Sequence, residues 1–380
     1  MKHKKKDSTA IIVACAIIFC LFSFLYIYCY QTPTLSFSQH VLSGGVTFYH
    51  PLISAIIITV TAYILQLITF RLTQLYGASH ALTYMPSMLL LAFLSCAHPD
   101  NAGGLTTGVW MWFLPVIIAG YVILIKVVKQ WIGTSTFEPF FSSRVLSINL
   151  LSLIVMMLYV VNIGNGDALF HRQIWAEKLL IDQRYHELSR EGRGSSQIER
   201  QTGIGYFKKN SNDVVYEHTD STLTLLRFIA MSKLGTLPDS LFTQPVVGGT
   251  ASLMCMENVH PYLFSKKFLS RTKNLDYKLC ALLAEGDLDN FARKLMAHYN
   301  VNDTLAPDTL PRHYREALVL YQHLRSKPVT AYSDPVLETD YEDMRNIQKL
   351  SATNKEDEMK MWQAYRNTYW YYYIIHKNPK

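Results

Sequence analysis

The sequence predicts an all-α protein in two parts: five transmembrane helices, followed by a soluble array of α-helical hairpins. Three observations predict it. Residues 1–163 contain five long apolar runs that hold no Asp, Glu, Lys, Arg or His. Residues 164–380 show apolar spacing of helical period and no sustained alternation of period two. The charge divides at the same boundary: residues 1–163 carry eight Lys/Arg and three Asp/Glu, residues 164–380 carry 28 and 26. Of the +7 formal charge, five units therefore belong to the first part. That distribution is unlike a nucleic-acid-binding domain, which gathers its basic residues on one face. The chain is 49% hydrophobic and 17% charged, against roughly 25% charged in soluble domains.

The N-terminal segment 1–9 is basic, with Lys2, Lys4, Lys5 and Lys6. The runs are 10–30, 52–70, 82–97, 109–125 and 145–163. A bilayer core needs about 17–25 helical residues, and backbone in lipid must satisfy its own polar groups, which selects helices. The third run is the shortest and contains Pro86. The first run is 21 residues long, against about 7–15 for the apolar region of a cleaved signal. Gln31-Thr-Pro-Thr follows it in place of a small-x-small site, so it reads as an uncleaved signal anchor.

Orientation follows from the basic residues. With the N-terminal lysines cytoplasmic, Arg71, Lys126, Lys129 and Arg144 also fall on the cytoplasmic side, and outer loops 31–51 and 98–108 contain no Lys or Arg. Trp110, Trp112 and Trp131 flank the fourth run as interface anchors do. Five spans place 164–380 outside, in the periplasm of a Gram-negative inner membrane.

In the outer part, Phe170, Ile174, Ile181, Tyr185 and Leu188 form one stripe of a helix leaving the membrane. Residues 191–220, rich in Gly, Ser, Asn and Asp, read as a connector. Helices follow at Thr222–Leu234, Tyr277–Glu285, Leu288–Tyr299, Leu310–Arg325 and about Glu356–His376. Gly235 and Gly286 suit helix ends, and Pro238 a first turn. Ala230, Gly235 and Leu237 are echoed by Ala281, Gly286 and Leu288. The pattern resembles a tetratricopeptide hairpin turn, although the glycines are 51 residues apart rather than 34. A divergent hairpin array and a single irregular bundle both fit. Tyr369, Trp370, Tyr371, Tyr372 and Tyr373 are consecutive. Tyr369, Trp370, Tyr372 and Tyr373 form either a partner-binding or interfacial face, or a helix docked into the array; docking is favoured, since a terminal helix needs it to stay ordered.

Chemistry is sparse. Cys15, Cys20, Cys29 and Cys96 lie in or at spans and read as small apolar residues. Cys255 and Cys280 fall in the outer part, where an oxidising compartment permits a disulfide. No CxxC, phosphate-binding glycine loop, nucleophile elbow or zincin motif occurs, so no metal or cofactor is expected. His186-Glu187 lacks the second His, which Arg190 replaces. Asn302-Asp303-Thr304 is a glycosylation sequon without meaning in a cell lacking that machinery. The outer membrane face gathers His40, His50, His98 and Asp100, with Asp167 and His171 just beyond the fifth run. Such groups can act as general acid and base or bind metal, but short polar loops collect them without convergence. No run contains an ionisable residue, which weighs against a transport pathway.

Ser43-Gly44-Gly45-Val-Thr-Phe-Tyr-His, the Pro86-containing run, Leu310-Pro-Arg-His-Tyr-Arg-Glu-Ala-Leu and Asn367-Thr-Tyr-Trp-Tyr-Tyr-Tyr together resemble a family of multi-pass proteins from Bacteroides-type bacteria, catalogued as domain of unknown function 6057. The resemblance extends over most of the chain. It implies a Gram-negative envelope location and no catalytic residue. The expected function is therefore non-enzymatic: an inner-membrane protein, in contact with the bilayer and not with nucleic acid, whose periplasmic helical domain meets a protein partner in interaction or envelope assembly. The alternative is an envelope enzyme or transport component using His40, His50, His98 and Asp100.

Overall fold

The computed structural model describes residues 2–100, 104–134, 143–190, 221–243, 260–299, 310–351 and 355–377. Described residues are overwhelmingly helical, and the chain divides into two compact units, Met1–Trp175 and Ala176–Lys380.

The first unit opens with α1 (Lys2–Leu25), which runs into a π-helical turn, Tyr26–Tyr30. There the Gln31 N–H donates to the Tyr26 carbonyl, five residues back. Helix α2 (Thr32–Leu42) lies between the first and second spans, and α3 (Pro51–Thr73) starts on a proline whose missing N–H needs no partner there. A 3₁₀ segment (Gly77–Tyr84) leads into α4 (Met85–Ser95). Two short antiparallel strands, β1 (Ala97–Pro99) and β2 (Leu105–Thr107), pair with Ala97 opposite Thr107. Helices α5 (Leu114–Thr134), after a 3₁₀ turn at Val109–Phe113, and α6 (Ser143–Ile163) complete the five long apolar segments.

These segments are built inside-out relative to a water-soluble core. On α3 the buried face is Ala55, Thr59, Ala62, Gln66, Thr69 and Thr73. Its exposed face is Ile53, Ile56, Ile57, Val60, Ile64 and Ile68. Small and polar residues inward, branched aliphatics outward, is the arrangement of a helix whose surroundings are lipid. The protein is a multi-pass membrane protein.

The third span differs from the expected 82–97 helix. It begins at Gly77, and Cys96 and Ala97 have already left the helix. Eight 3₁₀ residues and eleven α residues rise about 32 Å at about 2.0 and 1.5 Å per residue, which matches a hydrocarbon core of about 30 Å. The tighter helix thus lets a short apolar run reach across. It also places His80 within the span, so the expectation that no span holds an ionisable residue is overturned. Irregular backbone at this depth must be satisfied by protein, and side chains from other helices do so. The Ala81 N–H donates to Asn149 Oδ1 (2.8 Å), Asn149 Nδ2 donates to the Gly77 carbonyl (2.9 Å), and the Tyr121 hydroxyl donates to the Leu82 carbonyl (3.1 Å).

Past the fifth span come α7 (Ala168–Ile181) and α8 (Tyr185–Arg190). The expected continuous helix over 170–188 is broken because Gln183 adopts φ 58°. The second unit continues with α9 (Ser221–Lys233), α10 (Leu237–Ser240), α11 (Lys266–Thr272), α12 (Leu275–Glu285), α13 (Leu288–His298), α14 (Arg312–Leu324), α15 (Pro335–Ser351), α16 (Lys355–Tyr365) and α17 (Tyr369–Lys377). One buried cluster runs from Ala176 to Trp370. The expected connector 191–220, Cys255 and the Asn302 sequon lie outside the described residues.

Three helix ends in this part close identically. The N–H of Gln183 meets the Leu180 carbonyl and that of Arg184 the Leu179 carbonyl. Gly235 and Thr236 repeat this on Ser232 and Met231, as do Gly286 and Asp287 on Leu283 and Leu282. Each is the paired-bond stop that a left-handed residue permits. The turn residues are 52 (183 to 235) and 51 (235 to 286) positions apart. An added Cβ at Gly235 would meet nothing within 4 Å, and φ there is +70°. Gly235→Ala should therefore lower stability by about 1–2 kcal/mol from backbone conformation alone, and Gly235→Asn by less. Denaturant unfolding of the purified protein checks the order.

Candidate functional site

Gly164-Asn165-Gly166 follows the fifth span, and the C-terminal ends of the first and third spans meet it. The Tyr26 hydroxyl donates to Ser95 Oγ (2.9 Å). Gln31 Nε2 donates to the Asn165 carbonyl (3.1 Å), Asn165 Nδ2 to the Ala97 carbonyl (2.9 Å), and the Asn165 N–H to the Ser95 carbonyl (2.7 Å). Gln31, Ser95 and Asn165 are fully buried. A Cβ on Gly164 would collide with the Tyr26 hydroxyl and crowd Gln31 and Ser95, so only glycine lets these three approach. The node thus fastens three spans through hydrogen bonds whose loss in a buried setting would be costly.

Beside it, His171 Nε2 lies 3.2 Å from Thr34 Oγ1, with the Tyr30 ring edge-on at 5.4 Å. Burial pushes the His171 imidazole below its ordinary value, against the opposing pull of the Asp167 charge and the Asn165 carbonyl. Asp167 caps α7, its Oδ1 accepting from the Leu169 N–H (2.9 Å) and the Phe170 N–H (3.3 Å). An imidazole against a hydroxyl is the elementary unit of nucleophile activation. Here Thr34 is fully buried, so the pair fastens α2 to α7.

The other polar residues expected at this site have separate duties. His40 lies under Gly45, whose added Cβ would come within 3.0 Å of His40 Cε1, and burial lowers its pKa. His50 is exposed, and its carbonyl starts α3 by accepting the Ser54 N–H. His98 Nδ1 donates to the Cys96 carbonyl (2.7 Å). Asp100 closes the β1–β2 turn: its Oδ1 accepts the Gly104 N–H, and its own N–H donates to the Gly104 carbonyl (3.0 Å). Among the described residues, no group of three His, Cys, Asp or Glu could hold a metal ion. Tyr26, Gln31, Ser95 and Asn165, which form the node, carry no motif. Their signal is positional: polar residues inside or abutting apolar runs.

A second centre lies under the C-terminal aromatic helix. The fully buried Glu316 carboxylate accepts from Arg312 Nε (2.8 Å), His313 Nδ1 (2.9 Å) and the Tyr369 N–H (2.7 Å), and its carbonyl accepts from Trp370 Nε1 (2.6 Å). The hydroxyls of Tyr369 and Tyr372 donate to the carbonyls of Leu283 (3.1 Å) and Ala284 (2.9 Å). Those carbonyls lie in the last turn of α12, and that of Leu283 also accepts the Gly286 N–H. Burial raises the Tyr369 phenol well above its ordinary value and Tyr372 to about 12, so both stay protonated donors near neutrality. The expected helix over 356–376 is interrupted at 366–368. There the Thr368 hydroxyl accepts the Tyr371 N–H, and Glu316 takes that of Tyr369, so a new helix starts. Of the aromatic residues considered for a partner face, Tyr369 and Trp370 lie in the core, while Tyr372 and Tyr373 keep partial exposure. The Cys280 thiol, raised by burial, sits 3.7 Å from the Tyr314 hydroxyl.

Two outcomes follow. Folding depresses the His171 value, so the unfolded chain binds protons more readily, and stability rises with pH. The contribution is full above the ordinary histidine value of about 6.5 and declines as pH falls through it. His171→Gln should flatten that part of the melting-temperature profile between pH 7.5 and 5.5. Glu316→Ala orphans two buried donors at about 1–3 kcal/mol each. It should release α17, read as faster limited proteolysis after Tyr365.

Residues 269–376 match the model of a family described as Family of unknown function (DUF6057). The matched stretch includes the 310–318 and 367–373 motifs and excludes the 43–50 motif and Pro86. No curated protein and no solved structure matches the chain. The matched stretch contains Glu316 and the aromatic helix docked on it.

Proposed function

We propose that the protein is a non-enzymatic component of a bacterial inner membrane, with its N-terminus cytoplasmic and the part after the fifth span periplasmic, where it binds a protein partner in envelope assembly. The observation that carries the reading is the threefold recurrence of one turn at spacings of 52 and 51 residues. Helical repeats that stack side by side present extended surfaces to partners, and a divergent tetratricopeptide-like hairpin array is the form that fits these turns. The orientation rests on the basic residues: all eight of the first part fall on one side when five spans are threaded.

Crosslinking in intact cells, followed by purification of the tagged full-length protein, should recover a stable partner that is lost from a chain ending at Ile163 but present in the membrane at the same level. Turnover of a substrate by the residues after Ile163 would sink the proposal.

The second reading, an envelope enzyme or transport component working at the outer face, is favoured by the His171–Thr34 pair. It requires that His171→Gln, or Ala at His98 and Asp100, abolish function at unchanged membrane levels.

A further inference from the structure

Where α3 meets the 3₁₀ segment Gly77–Tyr84, the side chains of Gln66, His80 and Tyr84 each have a buried polar atom without a partner. His80 is 1% exposed and Gln66 2%. His80 Nδ1 is 3.4 Å from the Leu75 carbonyl, which can only accept, so the proton sits on Nδ1 and Nε2 is left as a bare acceptor. Gln66 uses its Nε2 to donate to Thr83 Oγ1 (3.1 Å), which leaves Oε1 as a second bare acceptor. The two residues belong to one seam. The Thr83 hydroxyl that accepts from Gln66 donates to the His80 carbonyl (2.8 Å). The His80 ring packs edge-on against Phe70, one turn from Gln66 on the same helix, at 5.1 Å.

Two acceptors cannot satisfy each other. Left bare in an apolar setting, each is costly. A third orphan of the seam, the Tyr84 hydroxyl, makes no bond to either acceptor; Asn149 is bonded to the 3₁₀ backbone and Ser87 Oγ to the Ala62 carbonyl (2.7 Å). The missing chemistry is a small ligand with two donors and no net charge. We infer that His80 Nε2 and Gln66 Oε1 bind a water molecule inside the membrane unit, one O–H to each. Internal waters with two or more protein partners are integral parts of folds. The site is independent of the reading proposed for the second unit.

The test is nitrogen NMR of the full-length protein in lipid nanodiscs with ¹⁵N-labelled histidine. His80 is assigned by the signal lost in His80→Phe, or in His80→Asn should the first variant fail to fold. The expected result is a protonated Nδ1 and an unprotonated Nε2 shifted upfield as a hydrogen-bond acceptor, with magnetisation transfer from water. Gln66→Met should reduce that transfer at least twofold while the tautomer stays the same. A protonated Nε2 in the resting protein, absence of transfer from water, or transfer unchanged by Gln66→Met would each overturn the inference.

Discussion

The first unit depends on one constraint: backbone N–H and C=O groups in a hydrocarbon setting need partners from the protein itself. A continuous α-helix meets it automatically, but the third span is not one. Its eight-residue 3₁₀ start is held by Asn149, whose single amide serves the Ala81 N–H and the Gly77 carbonyl at once. Tyr121 serves Leu82 from another helix. The third span is thus the one most enclosed by its neighbours, while α5 offers most of its surface outward. A span that cannot satisfy its own backbone has to sit among the helices that can.

The second unit meets a related demand at its helix ends. In the last turn of α12 the phenols of Tyr369 and Tyr372 donate to the Leu283 and Ala284 carbonyls. The N–H that opens α17 is taken by Glu316. The aromatic run is therefore both apolar filling for the core and a set of fixed donors. Phe or Leu could supply the filling and not the hydroxyls, which accounts for tyrosine at these positions. Burial removes any competing ionised form, so the donors are permanent over the physiological range.

Much of this was legible in the sequence, and what escaped has a common cause. Apolar runs set the membrane half, since 18 or more such residues have few other uses. Gly235, Gly286 and Pro238 marked helix boundaries because the backbone at those points tolerates few other residues. Gln183 stops a helix in the same left-handed conformation, but glutamine carries no such preference, so the break between α7 and α8 has no local signal. The 3₁₀ start of the third span was equally silent, because its stabilising partner, Asn149, is 68 positions away from Ala81. The interruption at 366–368 has a weak signal in Asn367-Thr368 and a strong cause in Glu316, again distant in sequence. Local chemistry is readable; long-range hydrogen bonding is not.

The same distinction governs the candidate site. Acidic side chains suggest acid–base chemistry when seen one at a time. In the fold, four of them accept backbone N–H groups: Asp100 from Gly104, Asp167 from Leu169 and Phe170, Glu177 from Tyr262 and Leu263, and Glu316 from Tyr369. A carboxylate engaged in this way is fixed in orientation, which suits fastening, whereas a general acid or base must exchange its proton with a reacting group. Asp100 and Asp167 therefore organise the backbone that follows the third and fifth spans, as Glu177 and Glu316 organise the helices of the second unit.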